Sequence, residues 1–319
     1  MRIAIWGAGG IGCYYGAKLI EAGHDVVMIA RGAHLKAMQQ NGLKLSHPNF
    51  EFKAPVEAID QATWKTNYQC QQFDLIIIAL KSTATADALS SMKEWLVTGN
   101  CPLLSLQNGV DNEETIAQFV GTERTLGGLA VKIGAHILEP GVVEATGVAH
   151  IIFGQWPTAD AALSLGFAPS INELLANANI LTTMSPDIRK ELWRKLLINN
   201  GVNPLSALTG LNTKQLTSHP VLRKTVYKLM LEAAQAAKSE GVALMPDDID
   251  DMFDLISQFD AIKTSMLVDF EKGRPLERSA ICGAVIRRCE VRGIPAPQTE
   301  LIDALLAVKC EEATTPPAP

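Results

Sequence analysis

Short β-branched runs alternate with helical patterns through the first half of the chain, the way a parallel sheet with crossover helices is written in sequence. Strands are expected at residues 3–6, 25–30, 73–80 and 102–106. Helices are expected at 11–22, closed by Gly23 in the position of a C-terminal cap, and at 83–96. Between 126 and 153 the pattern changes to two apolar runs joined at Glu139-Pro140-Gly141, which predicts a turn and an antiparallel extension of the sheet. Beyond about Pro186 apolar positions recur at spacings of three and four, as in Ile188, Leu192 and Leu196, and long amphipathic stretches follow to Val308. The second part of the chain is therefore expected to be almost all helix.

A length of 319 residues suits two well-packed domains. Lys plus Arg number 28 against 34 Asp plus Glu, a net charge of −6 with no basic run, so no nucleic-acid partner is expected. The most apolar stretch, 75–80, is far shorter than the roughly 20 residues needed to cross a bilayer. The glycines at 7, 9, 10 and 12 crowd the region where a signal peptide would be apolar, so no membrane partner is expected either. Six cysteines without a Cys-x-x-Cys pair and six histidines without ligand spacing point to a reduced, cytoplasmic protein with no metal.

Gly7-Ala8-Gly9-Gly10-Ile11-Gly12 has the G-x-G-x-x-G form, follows an expected strand and opens an expected helix. That context is what makes the motif informative. The first glycine permits a tight turn, the second lets backbone approach a pyrophosphate, and the third lets helix pack on strand, with the helix N-terminus facing the negative charge. The fold class is accordingly α/β: an N-terminal Rossmann-type dinucleotide-binding domain with an antiparallel sheet extension over 1–185, then an all-helical C-terminal domain for substrate and dimerisation over 186–310. The Thr- and Pro-rich tail at 311–319 is expected to be disordered. At the end of the second strand an acidic residue would hold the ribose of NAD, but the chain has Ala30-Arg31-Gly32. Arg31 suits the 2′-phosphate of NADPH, to which its planar fork can make paired hydrogen bonds. The plainer alternative is a solvated arginine at a strand end.

A dinucleotide domain followed by a helical one places substrate at the carboxyl ends of the strands. Lys81 and Asn108 follow two such ends. In the helical part, Lys195, Asn199 and Asn203 are spaced by four and share a face of a continuing helix. An ordinary amphipathic helix would also gather polar residues, and spacing alone does not separate the readings. Chemistry does: reducing a ketone needs a proton on its oxygen, hence a donor that also stabilises developing negative charge, and a lysine flanked by amides supplies both. No histidine lies near these motifs, which argues against a histidine-dependent 2-hydroxy-acid dehydrogenase.

Taken in order, the glycine motif at 7–12, Arg31, Leu80-Lys81, Asn108-Gly109, Glu139-Pro140-Gly141, Leu192-Trp193-Arg194-Lys195, Asn199, Asn203-Pro204, Lys263-Thr264-Ser265-Met266-Leu267 and Gly273-Arg274-Pro275 resemble the ketopantoate reductase family. The resemblance implies reduction of a 2-oxo acid, ketopantoate, to pantoate, the precursor of pantothenate and coenzyme A. It implies that Lys195 protonates the carbonyl oxygen as the NADPH hydride reaches C2. It also implies that Asn108 and Lys81 line the cofactor and substrate cleft, that Asn199 and Asn203 contact substrate, and that Ser265 helps hold its carboxylate. Glu277 matches the family's acidic residue near the lysine and substrate, and is counted with Asn108 in both the substrate and the cofactor set. The chain departs from the family where Glu277 is followed by Arg278-Ser279 and Cys282-Gly283, in place of Ile-Asp and Asn-Gly, and where Glu144-Ala145-Thr146-Gly147 lacks a histidine. The alternatives are a paralogous NADPH-dependent reductase of another 2-oxo acid and a non-catalytic NADPH sensor. A homodimer is a candidate assembly, since the C-terminal amphipathic helices offer a face to a second copy.

Overall fold

The computed structural model describes residues 1–157, 166–259 and 261–314. Its strands are β1 (Arg2–Trp6), β2 (Asp25–Ile29), β3 (Leu43–His47), β4 (Phe50–Ala54), β5 (Glu57–Ile59), β6 (Leu75–Ile78), β7 (Leu103–Ser105), β8 (Thr125–Glu139), β9 (Val142–Gln155) and β10 (Leu181–Met184). Among the described residues they form one ten-stranded sheet in the order β4-β3-β9-β8-β7-β6-β1-β2-β5, with β10 paired to β9. The centre is parallel: β1 pairs with β2 and β6, and β6 with β7. These central strands read as unbroken apolar runs because both of their faces are buried. Ile3 and Ile5 point into one core with Tyr15 and Met28, while the alternate residues Ala4 and Trp6 point into a second core with Trp64 and Ile76. In the second core Trp64 packs between Trp6 and Trp95, with ring centroids 5.3 and 4.6 Å apart.

Helices α1 (Gly10–Glu21), α2 (Gly32–Asn41), α3 (Gln61–Asn67), α4 (Thr85–Leu96), α5 (Asn112–Val120) and α6 (Ala168–Asn177) complete this part. Gly23 closes α1 as its position predicts, with φ +84° and its N–H donated to the Ile20 carbonyl at 2.9 Å. The predicted antiparallel pair is β8 with β9, turning at Pro140-Gly141, where Gly141 has φ +80°. The edge elements β3, β4 and β5, helices α2, α3, α5 and α6, and β10 lie outside what the hydrophobic pattern predicted.

The chain divides into two compact units, residues 1–107 with 112–189, and residues 108–111 with those from Lys190 onward. The second holds almost all of α7 (Ile188–Thr209), then α8 (Thr213–Ser218), α9 (Leu222–Ser239), α10 (Pro246–Gln258), α11 (Ser265–Glu271), α12 (Cys282–Val291) and α13 (Pro297–Thr314). Buried Asn200 ties α7 to its neighbours, donating to the Leu229 carbonyl at 3.0 Å and to Thr299 Oγ1 at 3.2 Å. The buried Glu232 carboxylate accepts the N–H groups of Gln298 and Thr299 at the start of α13, where the helix dipole favours negative charge. Helix α13 runs through residues 311–314, four residues into the segment expected from composition to be a tail; residues 315–319 lie outside the described ones. No helix among the described residues is long and apolar enough to cross a membrane.

Candidate active site

The first unit builds a cradle at the carboxyl ends of β1 and β2. Gly7 adopts φ +109°, and a Cβ there would stand 2.7 Å from Leu80 N, so the turn depends on glycine for both conformation and space. A Cβ on Gly12 would lie 2.2 Å from the Gly7 carbonyl oxygen and 2.9 Å from Ile5 Cγ2, which is the close packing of α1 on β1. A Cβ on Gly10 would lie 2.1 Å from the Ala135 carbonyl oxygen, since β8 passes directly over the start of α1. Gly9 differs: a Cβ there would meet nothing within 4 Å. Gly9 also caps α1 without a side chain, leaving the first-turn N–H groups to an outside acceptor. Backbone open to solvent at a bare helix N-terminus suits a pyrophosphate.

The Gly7 and Ala8 N–H groups donate to the Ile29 carbonyl at 3.2 and 2.9 Å, so the glycine turn and the end of β2 are one piece. Arg31 sits there, exposed, as the N-terminal cap of α2. Ala8 is buried and Ile11 half-buried. Lys81 is exposed after β6, capping a short 3-10 turn over Ser82–Ala84. That turn is held by the buried Gln107 side chain, which donates to the Leu80 carbonyl at 3.1 Å and to Thr85 Oγ1 at 2.6 Å.

One residue of this cradle escaped the sequence. His34, half-buried in the first turn of α2, accepts the Gly141 N–H on Nδ1 at 3.0 Å and lies 3.4 Å from Cys13 Sγ through Nε2. With Nδ1 accepting, the neutral ring carries its proton on Nε2. Burial lowers its pKa, which favours that neutral form, against a hydrogen bond to the Ala8 carbonyl that works the other way. Burial also pushes the Cys13 thiol up to about 12. His34 thus joins the glycine turn, α2 and the β8–β9 turn. A histidine three residues after Arg31 was the sole sequence signal.

In the second unit Lys195, Asn199 and Asn203 lie along α7, which runs unbroken for 22 residues even though Pro204 withholds an N–H from the Asn200 carbonyl. Lys195 and Asn199 are half-buried and Asn203 is buried, while Leu192, Leu196 and Leu197 anchor the helix in the core. The Asn108 side chain donates to the buried Glu277 carboxylate at 3.1 Å, joining residues 169 positions apart that were both assigned to one site. The short segment carrying Asn108 is itself clamped: Asp111 takes Arg287 at 2.8 Å and Arg288 at 2.6 Å, both from α12. Arg288 in turn lies over the ring of Trp193, 5.3 Å from its centroid. Ser265 is exposed at the first position of α11, behind the capping Thr264, whose Oγ1 accepts the Leu267 N–H at 3.2 Å.

The residues that depart from the family pattern have structural partners. Ser279 accepts from Arg287 Nη1 on its hydroxyl at 3.3 Å and on its carbonyl at 3.2 Å, helping to aim that arginine at Asp111. Arg278 grips Asp303 through two hydrogen bonds of 2.9 and 2.8 Å. Cys282 is buried, which raises its pKa. Ala145 is buried within β9. A cavity of about 500 Å³ is lined by Leu276, Arg278, Ser279, Gly283, Arg287 and Asp303.

Comparison with known proteins agrees over the length of the chain. The family model described as Ketopantoate reductase PanE/ApbA matches residues 3–158, and its C-terminal counterpart matches residues 187–309. A 2-dehydropantoate 2-reductase of Pyrococcus abyssi is 30% identical over 309 residues, 97% of this chain and 98% of that one. A PanE/ApbA family ketopantoate reductase from Ralstonia eutropha superposes with a TM-score of 0.87 at 28% identity, covering 99% of this chain and 100% of that one. A D-mandelate dehydrogenase, solved with NADH and anilino(oxo)acetate, shares the fold at a TM-score of 0.88 and 24% identity over 99% of this chain and 100% of that one. The chain belongs to the ketopantoate reductase family and is an oxidoreductase.

Proposed function

We propose that the chain reduces 2-dehydropantoate to pantoate with NADPH. The hydrogen bond from Asn108 to buried Glu277 carries the reading, because it brings together, within one unit, two residues that the family resemblance assigns to one site from distant parts of the sequence. NADPH, when bound, supplies the hydride that the reduction needs. The glycine turn at Gly7, Ala8, Gly9, Gly10, Ile11 and Gly12 holds its pyrophosphate, and Arg31, with no carboxylate at the end of β2, holds the 2′-phosphate. Lys81, Asn108 and Glu277 complete the cofactor set.

Lys195 donates a proton to the ketone oxygen and stabilises negative charge developing there. Asn199 and Asn203, one and two turns further along the same face of α7, orient the substrate. Ser265 holds the carboxylate. Glu277 is fixed by Asn108 and hydrogen-bonds the substrate's hydroxyl.

The engagement of Ser279 by Arg287 and the burial of Cys282 support a second reading, a paralogous reductase of another branched or extended 2-oxo acid. Oxidation of NADPH followed by absorbance separates the two. A site built to hydrogen-bond the hydroxymethyl group rejects 2-oxoisovalerate, which lacks it, by up to about 10⁴ in kcat/KM, whereas an apolar pocket discriminates by only about 10–200 per methylene. A clear excess for 2-dehydropantoate supports pantoate synthesis; equal or reversed values favour the second reading.

A further inference from the structure

At the amino ends of β6 and β7 lies a buried cluster that the reductase chemistry does not use. Cys70 and Cys101 face each other with sulfurs 3.8 Å apart. Beside them is Arg124, buried at 7% exposure. Its Nε donates to the Cys101 carbonyl at 3.0 Å, its Nη1 to the Leu96 carbonyl at 2.9 Å, and its Nη2 to Cys70 Sγ at 3.9 Å. Among the described residues no carboxylate lies within ion-pair distance of this guanidinium, although a buried charge is costly unless paired. Of the groups it touches, the two thiols can become anions, and its Nη2 contact is with the Cys70 sulfur. Gly99 makes room for it, since a Cβ there would sit 2.5 Å from the Cys70 sulfur.

We infer that Cys70 and Cys101 form an oxidisable dithiol, in which Cys70 is the nucleophile toward hydroperoxides and Cys101 the resolving thiol. The contact with Cys101 and the charge of Arg124 lower the Cys70 pKa against the effect of burial, while the same contact and burial raise that of Cys101. In the first step the Cys70 thiolate attacks the peroxide: an S–O bond forms, the O–O bond breaks, and the departing alkoxide takes a proton to become an alcohol. In the second, the Cys101 sulfur attacks the sulfenic acid: an S–S bond forms, the S–O bond breaks, and the leaving hydroxide takes the Cys101 proton to become water. The two thiols together lose two electrons and two protons. A disulfide needs the sulfurs at about 2.05 Å, against the 3.8 Å that separates them here. Cys70 is buried, as is Gly99 against its sulfur, while Thr98, Asn100, Gln71 and Gln72 on either side are exposed, so the cluster lies directly beneath the surface. By contrast Cys13, Cys282 and Cys289 are buried with raised pKa values, burial being the largest cause in each.

The test treats the folded full-length protein with hydrogen peroxide, alkylates remaining thiols under denaturing conditions, and maps peptides by mass spectrometry. A Cys70–Cys101 crosslink formed ahead of oxidation at the other cysteines is expected. In Cys101→Ser, Cys70 should stop at a sulfenic acid that dimedone traps, and in Cys70→Ser, Cys101 should stay a thiol. Arg124→Gln should slow crosslinking about three- to fourfold for each unit by which the Cys70 pKa rises, since the thiolate fraction falls about tenfold while each thiolate becomes more nucleophilic. Recovery of both thiols alkylated while the half-exposed Cys310 is oxidised would overturn the inference. So would oxidation of Cys101 in Cys70→Ser at the wild-type rate, which needs no Arg124 variant to interpret.

Discussion

The four glycines of the nucleotide turn have different jobs, and alanine substitutions at two of them should separate stability from cofactor binding. In Gly12→Ala the new methyl meets the Gly7 carbonyl oxygen at 2.2 Å, about 1 Å inside ordinary contact, and the obstacle is backbone that cannot rotate away. Overpacking of this kind costs about 1–3 kcal/mol. At roughly 2–4 °C per kcal/mol for a domain of about 150–250 residues, the melting temperature should fall by about 2–12 °C. In Gly9→Ala the methyl meets no protein atom within 4 Å, and φ −82°, ψ −159° is open to any residue. Reduced freedom of the unfolded chain favours alanine by about 0.4–1 kcal/mol, which offsets its weaker capping of a helix than glycine's. Stability should therefore stay within about 1 kcal/mol of wild type. The same methyl occupies the space through which a pyrophosphate would approach backbone, so NADPH binding should weaken by about 1–3 kcal/mol, roughly 5- to 150-fold in Kd. Calorimetry gives the melting temperatures, and quenching or enhancement of NADPH fluorescence gives Kd. Wild-type NADPH affinity in Gly9→Ala would refute the assignment of that open face to the dinucleotide, and wild-type melting in Gly12→Ala would refute the packing argument.

Lys195→Ala should lower kcat by about 10²–10⁴ with NADPH affinity retained, and near-normal turnover would move the proton donor elsewhere, with Lys81 the first residue to examine. Arg31→Ala should cost NADPH about 1.5–3 kcal/mol and leave NADH unchanged; equal kcat/KM for the two cofactors in the wild type would sink the 2′-phosphate assignment. Asp248, which pairs with Lys190 at 3.0 Å and Arg194 at 2.9 Å, is raised by burial, but hydrogen bonds from Lys190 and the Met245 N–H, with the two cations, outweigh that and hold it below the usual carboxylate range. A depressed folded pKa contributes stability that is present above the unfolded value and lost as pH falls through the folded one, so Asp248→Asn should flatten the acid limb of a plot of melting temperature against pH, and an unchanged limb would refute this.

The parts legible in the sequence are those whose causes are local. The glycine turn could be read because strand, turn and helix follow within a dozen residues, and the β8–β9 turn because Pro140-Gly141 sits between two long apolar runs. Strands β3 and β4 alternate apolar and polar positions, but over five residues each, too few to stand out from the loops around them. Helix α7 is legible from apolar positions recurring at three and four, and the shared face of Lys195, Asn199 and Asn203 follows from helical period alone.

The surroundings of Asn108 were out of reach for a different reason. What fixes them is a pair of arginines 176 and 177 residues downstream, which hold Asp111 and thereby place residues 108–111 with the helical unit. No pattern within either segment records that pairing, because a carboxylate and two arginines on separate solvated stretches look like ordinary surface charge. Glu277 poses the same difficulty, since its role depends on being buried, and burial of a carboxylate is created by the fold around it. The family resemblance supplied the two endpoints, Asn108 and Glu277, and left out the clamp between them. Ser279, counted in the sequence as a departure from the family, is part of that clamp through Arg287. A substitution at a pocket position can therefore act on the site through the segment it braces, without touching the substrate.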